Sequence, residues 1–402
     1  MPFSSKPVSL ALLTLSCMAV LSLWFAASAV TPALVASHGL SPARAALLTT
    51  VVQIGFVAGS LTSAVLGLAD RVAPRKLYCV CALTGALANA AFVTVEPGSA
   101  VSIFLRFTTG AIMAGVYPVA MKLAVSWAKR DAGLLVGTLV GALTVGSALP
   151  HLFAFAGDLD WRAVMLAASV SASLGALLVL GVGIGPGFQK AAAFNARVAL
   201  NALSDKPLRL ANFGYFGHMW ELYAVWAWLG AYIAASFAAS GLEDAVLQAR
   251  LATFAALGIG ALGALAGGWF ADRIGRTALT IIAMTISGLC CLAAGPLFGA
   301  APWIIVTLAL VWGVSVIADS AQFSTGVAEL SQPGTQGTML TMQTAIGFAI
   351  TVITVQGLPA WVELAGWQWA FAPLALGPLF GIVSMAKLRG LPEAAQMAHG
   401  RK

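Results

Sequence analysis

Leu66-Gly67-Leu68-Ala69-Asp70-Arg71-Val72-Ala73-Pro74-Arg75-Lys76 and Gly268-Trp269-Phe270-Ala271-Asp272-Arg273-Ile274-Gly275-Arg276 are two versions of one charged turn. Their aspartates stand 202 positions apart in a chain of 402 residues. Each turn follows a long apolar run and precedes another. A repeat at half the chain length, set inside apolar sequence, is what doubling of a membrane-spanning unit leaves behind. It points away from a soluble enzyme.

Composition agrees. The chain is 60% hydrophobic and only 9% charged, against about 25% charged in a soluble domain. A deficit of this size over such a length requires many spans rather than one buried helix. Cys17, Cys79, Cys81, Cys290 and Cys291 all fall in apolar runs. They read as small buried hydrophobes, with neither a disulfide framework nor metal-finger spacing. The formal charge of +7 does not indicate nucleic acid, because the basic residues sit in short turns between apolar runs, where they set membrane orientation. At the N-terminus, Lys6, the run from Val8 and Ala27-Ser28-Ala29 mimic a cleavable signal. The run is long for that purpose, and the doubled plan needs it as its first span.

With about 20 apolar residues per span, twelve spans are expected, at roughly 8–34, 44–69, 77–97, 100–124, 133–156, 162–185, 208–236, 246–271, 277–298, 302–327, 335–357 and 367–387. Of the 21 Lys and Arg residues, sixteen lie at the two termini and in alternate loops. Three (Arg44, Arg162, Arg250) lie on the opposite side, and two (Arg106, Lys122) fall within span 4. This asymmetry puts both termini in the cytoplasm and the chain in a bacterial inner or plasma membrane. The expected units are an N-terminal six-helix bundle (1–185), a cytoplasmic linker (186–207), a C-terminal six-helix bundle (208–390) and a cytoplasmic tail (391–402). In the linker, Phe194, Val198 and Leu203 with Lys190, Arg197 and Lys206 suggest an amphipathic surface helix.

The repeat reaches further. Gly133 to Thr138 in span 5 is echoed by Gly334 to Thr338 in span 11. Two six-helix halves with Asp-Arg turns between spans 2–3 and 8–9 resemble the major facilitator superfamily, whose turn reads Gly-x-x-x-Asp-Arg-x-Gly-Arg. The second copy fits; the first has Leu66 and Ala73 for the two glycines, and Pro74 displaces its basic residues by one. The resemblance implies an all-α membrane fold of twelve helices in two pseudo-symmetric bundles. It implies a secondary transporter working by alternating access. In such a machine Asp70, Arg71, Arg75, Asp272, Arg273 and Arg276 belong to the gate that holds one conformation closed. The first copy departs from the pattern, so the Asp272 turn is expected to be the stronger half.

Ionisable groups at mid-bilayer cost about 2.5–3.5 kcal/mol even on lenient scales, so each needs a reason. Span 7 has His218 and Glu221 three apart on one face, with Trp228 seven further on. Span 10 carries Trp312, Ser315, Asp319, Gln322 and Gly326 as one polar stripe. Glu221, Asp319 and His218 are therefore the candidates for proton coupling. Span 4 offers Arg106 and Tyr117 on a common face, and Arg106 followed by Gly110 resembles the superfamily's helix-4 arginine motif. Lys122 lies almost opposite and is expected to snorkel to the interface. Trp24, Ser28 and Thr31 share a face of span 1. In span 5, Thr144, Ser147 and His151 lie along one side, and His151 reads as a satisfied structural histidine. The cavity residues expected are Trp24, Arg106, Tyr117, His218, Glu221, Trp228, Asp319 and Gln322.

The expected partners are a small solute, protons and the lipid bilayer, with the protein a monomer. No cofactor, resident metal or nucleic acid is implied. Arg106 gives a weak preference for an organic anion. Drug or metabolite efflux is an alternative, although span 5 lacks the Gly-Pro pair of the family's drug–proton exchangers. Copper uptake would use Met113, Met121, His218, Met219, Met339 and Met342, but adjacent His218 and Met219 point about 100° apart. A receptor or membrane enzyme would need an added domain or a nucleophile–base cluster, which the sequence does not offer.

Overall fold

The computed structural model describes residues 5–128, 132–155, 160–188 and 196–402, with the side chains of Pro42, Ala69, Asp70, Ala132, Ala196 and Arg197 outside that description. The expectations for Asp70, Lys129, Arg130, Lys190, Phe194 and Arg197 therefore fall on groups beyond the described ones. Among the described residues, 12 helices are long and apolar enough to cross a membrane. They are α1 (Lys6–His38), α2 (Ala43–Leu66), α3 (Pro74–Thr94), α4 (Ala100–Val125), α5 (Leu134–Phe155), α6 (Trp161–Gly181), α7 (Lys206–Ala239), α8 (Ala245–Ile274), α9 (Arg276–Leu297), α10 (Pro302–Leu330), α11 (Gln336–Ala365) and α12 (Trp367–Arg389).

Local chemistry sets their limits. Proline opens the first turn of α3, α7 and α10, where its missing N–H costs nothing. Ser99 caps α4 through Ser102 N, and Asp205 caps α7 through Leu208 N. Gly67 ends α2 in the left-handed region with φ 61°. Outward-facing apolar side chains such as Leu87 (71% exposed) and Leu262 (62%) suit lipid, not water.

Helices α1–α6 and α7–α12 form two bundles. They meet where α2 packs on α11 and α5 on α8. Close approach within a bundle rests on glycine. A Cβ on Gly110 of α4 would strike the Val52 carbonyl of α2. One on Gly313 of α10 would strike the Ala256 carbonyl of α8.

Among the described residues four spans are interrupted along their length. Helix α1 breaks between Leu21 and Ala26, α4 between Met113 and Tyr117, α8 at Ile259 and α10 at Asp319. The 202-residue offset that relates Asp70 to Asp272 also relates Tyr117 to Asp319, so the breaks in α4 and α10 are equivalent.

The described part of the linker holds two short helical turns, Ala196–Ala199 and Asn201–Ser204. Beyond α12 the chain folds back as a 3-10 segment, Pro392–Gly400, with Ala394, Met397 and Ala398 buried.

Candidate functional site

The break in α1 leaves carbonyls of Leu23 and Trp24 facing the bundle core. Arg106, fully buried in α4, supplies what they lack. Its Nη2 donates to Leu23 O at 3.2 Å and Trp24 O at 3.0 Å. Its Nε donates to Leu48 O of α2 at 3.3 Å, and its Nη1 to Asn89 Oδ1 of α3 at 2.9 Å. Asn89 is itself fixed by donation to Met165 O and Ser169 Oγ of α6. A guanidinium with four partners closes an interrupted helix end, where positive charge is also favoured by the helix dipole. The expectation that Arg106 faces solute is corrected on this geometry, since it does not touch the cavity described next.

A cavity of about 600 Å³ lies between the bundles. Trp24, Phe56, Tyr117, Tyr215, Tyr223 and Phe348 supply its aromatic wall, and Ser320, Ser324, Thr325 and Thr344 its hydroxyls. Among the described lining residues Lys122 is the one cation, and no acid is present. Its Nζ lies 5.0 Å from the centre of the Phe188 ring. Sequence alone places Lys122 at the interface; the break before Tyr117 re-aims the last turns of α4 so that Lys122 joins the cavity wall. The cavity runs from mid-membrane toward the ends of α4 and α10 and the starts of α5 and α11, as Val125, Ala328, Val136 and Leu340 in its wall record. These ends lie on the face that carries the chain termini.

The opposite face is shut. Ring centres of Trp24 and Phe56 are 5.0 Å apart, Phe56 and Phe348 4.7 Å, and Tyr223 and Phe348 4.9 Å, which interlocks α1 and α2 with α7 and α11. Hydrogen bonds continue the seal outward. Ser28 Oγ donates to Ala227 O at 3.3 Å, Gln356 Nε2 to Ala43 O at 3.0 Å and Arg250 Nη1 to Ala154 O at 2.8 Å.

The acidic candidates sit behind the cavity wall, inside the second bundle. His218 Nδ1 of α7 approaches Asp319 Oδ1, at the break in α10, to 3.1 Å, both side chains being 1% exposed. Neither Asp319 Oδ1 nor His218 Nε2 has a hydrogen-bond partner. Glu221 does not pair with His218 as their spacing suggests. The rotation of α7 turns it to α9 and α10, where Trp312 Nε1 donates at 2.6 Å, Ser287 Oγ at 2.9 Å and Cys291 Sγ at 3.3 Å. Asp319 is the immediate neighbour of Ser320, which lines the cavity. Trp228 donates to Val355 O and borders a separate small cavity on the closed side.

Gln322 belongs to the turn network rather than to the cavity. Arg276 donates to Glu329 through Nε and Nη2, each at 2.6 Å, and through Nη1 to Gln322 Oε1 at 2.7 Å. Asp272 lies further off, at 3.7 Å, and is half exposed. Glu329, which sequence reasoning missed, is thus the main partner of the second turn. The tail completes the network, with Arg401 bonding Asp272 O, Thr277 bonding Lys402 O and Ala398 N bonding Glu329 Oε2. In the first turn Arg75 donates to Val182 O at 3.1 Å and Arg71 is exposed. Arg273 stacks on Trp269 at 3.4 Å. The described residues contain no group of three or more His, Cys, Asp or Glu able to hold a metal.

The sequence model of the Major Facilitator Superfamily matches residues 12–208. The chain belongs to the major facilitator superfamily. Solved structures extend the likeness of fold to the whole of this superfamily transporter. A point mutant of the nucleoside transporter NupG superposes with a TM-score of 0.72 at 14% identity, covering 96% of this chain and 100% of that one. A D-xylose-proton symporter gives 0.72 at 15%, covering 97% and 98%. The human organic anion transporter MFSD10 (TETRAN) gives 0.70 at 16%, covering 95% and 100%. No curated protein matches the sequence. The chain is accordingly an integral membrane protein and a secondary transporter of this superfamily.

Proposed function

We propose that this transporter moves a mid-sized organic anion with an aromatic or apolar body, coupled to protons, as a monomer with both termini in the cytoplasm. The charge asymmetry of the loops supports that orientation, and the cavity then faces inward. Aromatic walls supply apolar contact area, and Lys122 supplies a point charge for a carboxylate. The want of an acid among the described lining residues disfavours cationic drugs. The named neighbours include a proton symporter and an organic anion transporter. At 15–16% identity they support the range of solutes the fold accommodates, nothing narrower.

One observation carries the coupling. The His218–Asp319 pair is buried at the break of α10, one residue from the cavity wall. A proton added there changes the charge of the group that sits at a hinge. The solute side of that hinge, Ser320 to Ala328, is part of the wall. Protonation and solute occupancy thereby bias the same element, which is the requirement for coupling two binding events. Glu221, held by three donors, is the second proton site.

The test uses full-length protein in proteoliposomes. A panel of aromatic carboxylates and their neutral amides is offered with an imposed pH gradient. Accumulation of a carboxylate against its gradient is expected. Asp319→Asn should abolish accumulation yet retain solute exchange. Accumulation that ignores the pH gradient, or survives Asp319→Asn unchanged, would refute the coupling.

A further inference from the structure

The translocation path does not end at the aromatic seal. One helical turn beyond Trp24 on α1 lies Ser28, and one turn beyond Tyr223 on α7 lies Ala227. Both border a second cavity, of about 40 Å³. Helix α5 contributes to both as well, through Leu143 to the large cavity and His151, two turns on, to the small one. Helix α8 closes the small one with Arg250 and Thr253. It lies between the bundles, among the hydrogen bonds that seal the outer face, and is the closed remnant of the outer entrance.

Its polar lining is unusual. Thr253 Oγ1 is committed to Ala249 O, and Thr31 Oγ1 to Ala27 O. His151 is 5% exposed, and its Nε2 has no partner. A buried ring nitrogen without a partner costs about 1–3 kcal/mol unless something else meets it. Arg250 lines the same cavity and donates through Nη1 to Ala154 O. An unpartnered imidazole nitrogen and an arginine bordering the same space for a few atoms make a recognition point for a small anion once that nitrogen carries its proton. The room is enough for two or three waters, at roughly 10–15 Å³ each, and so for a carboxylate group.

We propose that His151 and Arg250 form an outer anion site, which takes a carboxylate at the mouth of the path when the bundles part and holds water or a small anion when they close. The proposal rests on the alternating-access path described above but does not depend on Lys122 or on the identity of the solute.

The chain has four histidines, so protein carrying ring-labelled histidine in nanodiscs gives four imidazole signals, and His151→Gln assigns one. Sodium formate is titrated at fixed pH and ionic strength, with formamide as the neutral control. The His151 signal should shift and saturate with formate, in about the millimolar range for so small a ligand, and not with formamide. In Arg250→Gln, with the other three signals unmoved as proof of folding, the apparent affinity should fall about tenfold. No shift, an equal shift with formamide, or an unchanged affinity in Arg250→Gln would overturn the site. A failure of the proton-coupling scheme would leave these signals as they are, because its groups are His218 and Asp319.

Discussion

Replacing Arg106 with Gln separates a structural arginine from a solute-binding one. In the native state the guanidinium makes four hydrogen bonds, to Leu23 O, Trp24 O, Leu48 O and Asn89 Oδ1, at 2.9 to 3.3 Å. Bonds to a charged donor contribute about 1.5–3 kcal/mol each, so the gross loss is roughly 6–12 kcal/mol. Relief from burying the charge offsets several kcal/mol of that. Glutamine, two donors on a shorter stem, reaches one acceptor at most. The Leu23 and Trp24 carbonyls at the break in α1 are then left bare, at about 1–3 kcal/mol each. The net expectation is a loss of about 3–5 kcal/mol, the range measured when one partner of a buried charged network is removed. Denaturant unfolding of purified protein in detergent, followed by tryptophan fluorescence, reads this as a lower midpoint at constant slope. The folded fraction of Arg106→Gln should bind its carboxylate with affinity within about twofold of the parent, since the side chain is not in the cavity wall. Stability within about 1 kcal/mol of the parent together with a tenfold loss of affinity would refute the reasoning and return Arg106 to the solute, because ten-fold is about 1.4 kcal/mol of direct contact.

The cavity and the gate give two further outcomes. Lys122→Gln should weaken binding of an aromatic carboxylate about tenfold and leave its neutral amide unaffected, while Lys122→Arg restores it; calorimetry on the two ligands checks this, and equal losses for acid and amide would count against a charge role. Glu329→Gln should alter the accessibility of a single cysteine placed at Ser324 several-fold, because it removes the charge and sets an NH2 against the Arg276 guanidinium in place of one of the two short contacts. Asp272→Asn should change that accessibility by less than about twofold, as an exposed pair contributes only about 0–1 kcal/mol; the reverse order of effects would move the gate back to the aspartate.

Twelve spans and the doubled plan are legible in the sequence because both signals are local or periodic. Apolar length, turn residues and the offset between two Asp-Arg turns need no tertiary information. The candidate site is legible only as a set of residue types. His218 and Glu221 do share a face at a spacing of three, but a face is broad. The slight rotation of α7 that sends His218 to Asp319 and Glu221 to Ser287, Cys291 and Trp312 is decided by packing against α9 and α10. Arg106 misleads for a related reason. Two of its four partners are carbonyls released by a break in α1 that neither Pro nor Gly marks. Lys122 misleads when span 4 is taken as one continuous helix, although Gly115 and Pro118 lie at the break. Glu329 escapes notice as a span terminus. A carboxylate within reach of a repeated Arg turn is the signal that could have found it.

The equivalent breaks in α4 and α10 explain why duplication built the machine while its chemistry stayed on one side. An interrupted helix frees backbone groups and lets the lower half tilt independently of the upper. Both halves of the chain have this property at the same place in the repeat. In α4 the first residue after the break is Tyr117, whose ring joins the cavity wall beside Lys122. In α10 the equivalent residue is Asp319, which remains in the break and turns back to His218. The same backbone event therefore presents solute with an aromatic and a cation on one side, and a titratable pair on the other. Neither role can be read from the repeat itself, which keeps the hinge and varies the side chain it carries. Substitution of the two hinge residues tests that division. Tyr117→Phe should preserve pH-gradient coupling and change only solute affinity, whereas any substitution that removes the Asp319 carboxyl should uncouple the two while leaving the cavity wall and its affinity in place.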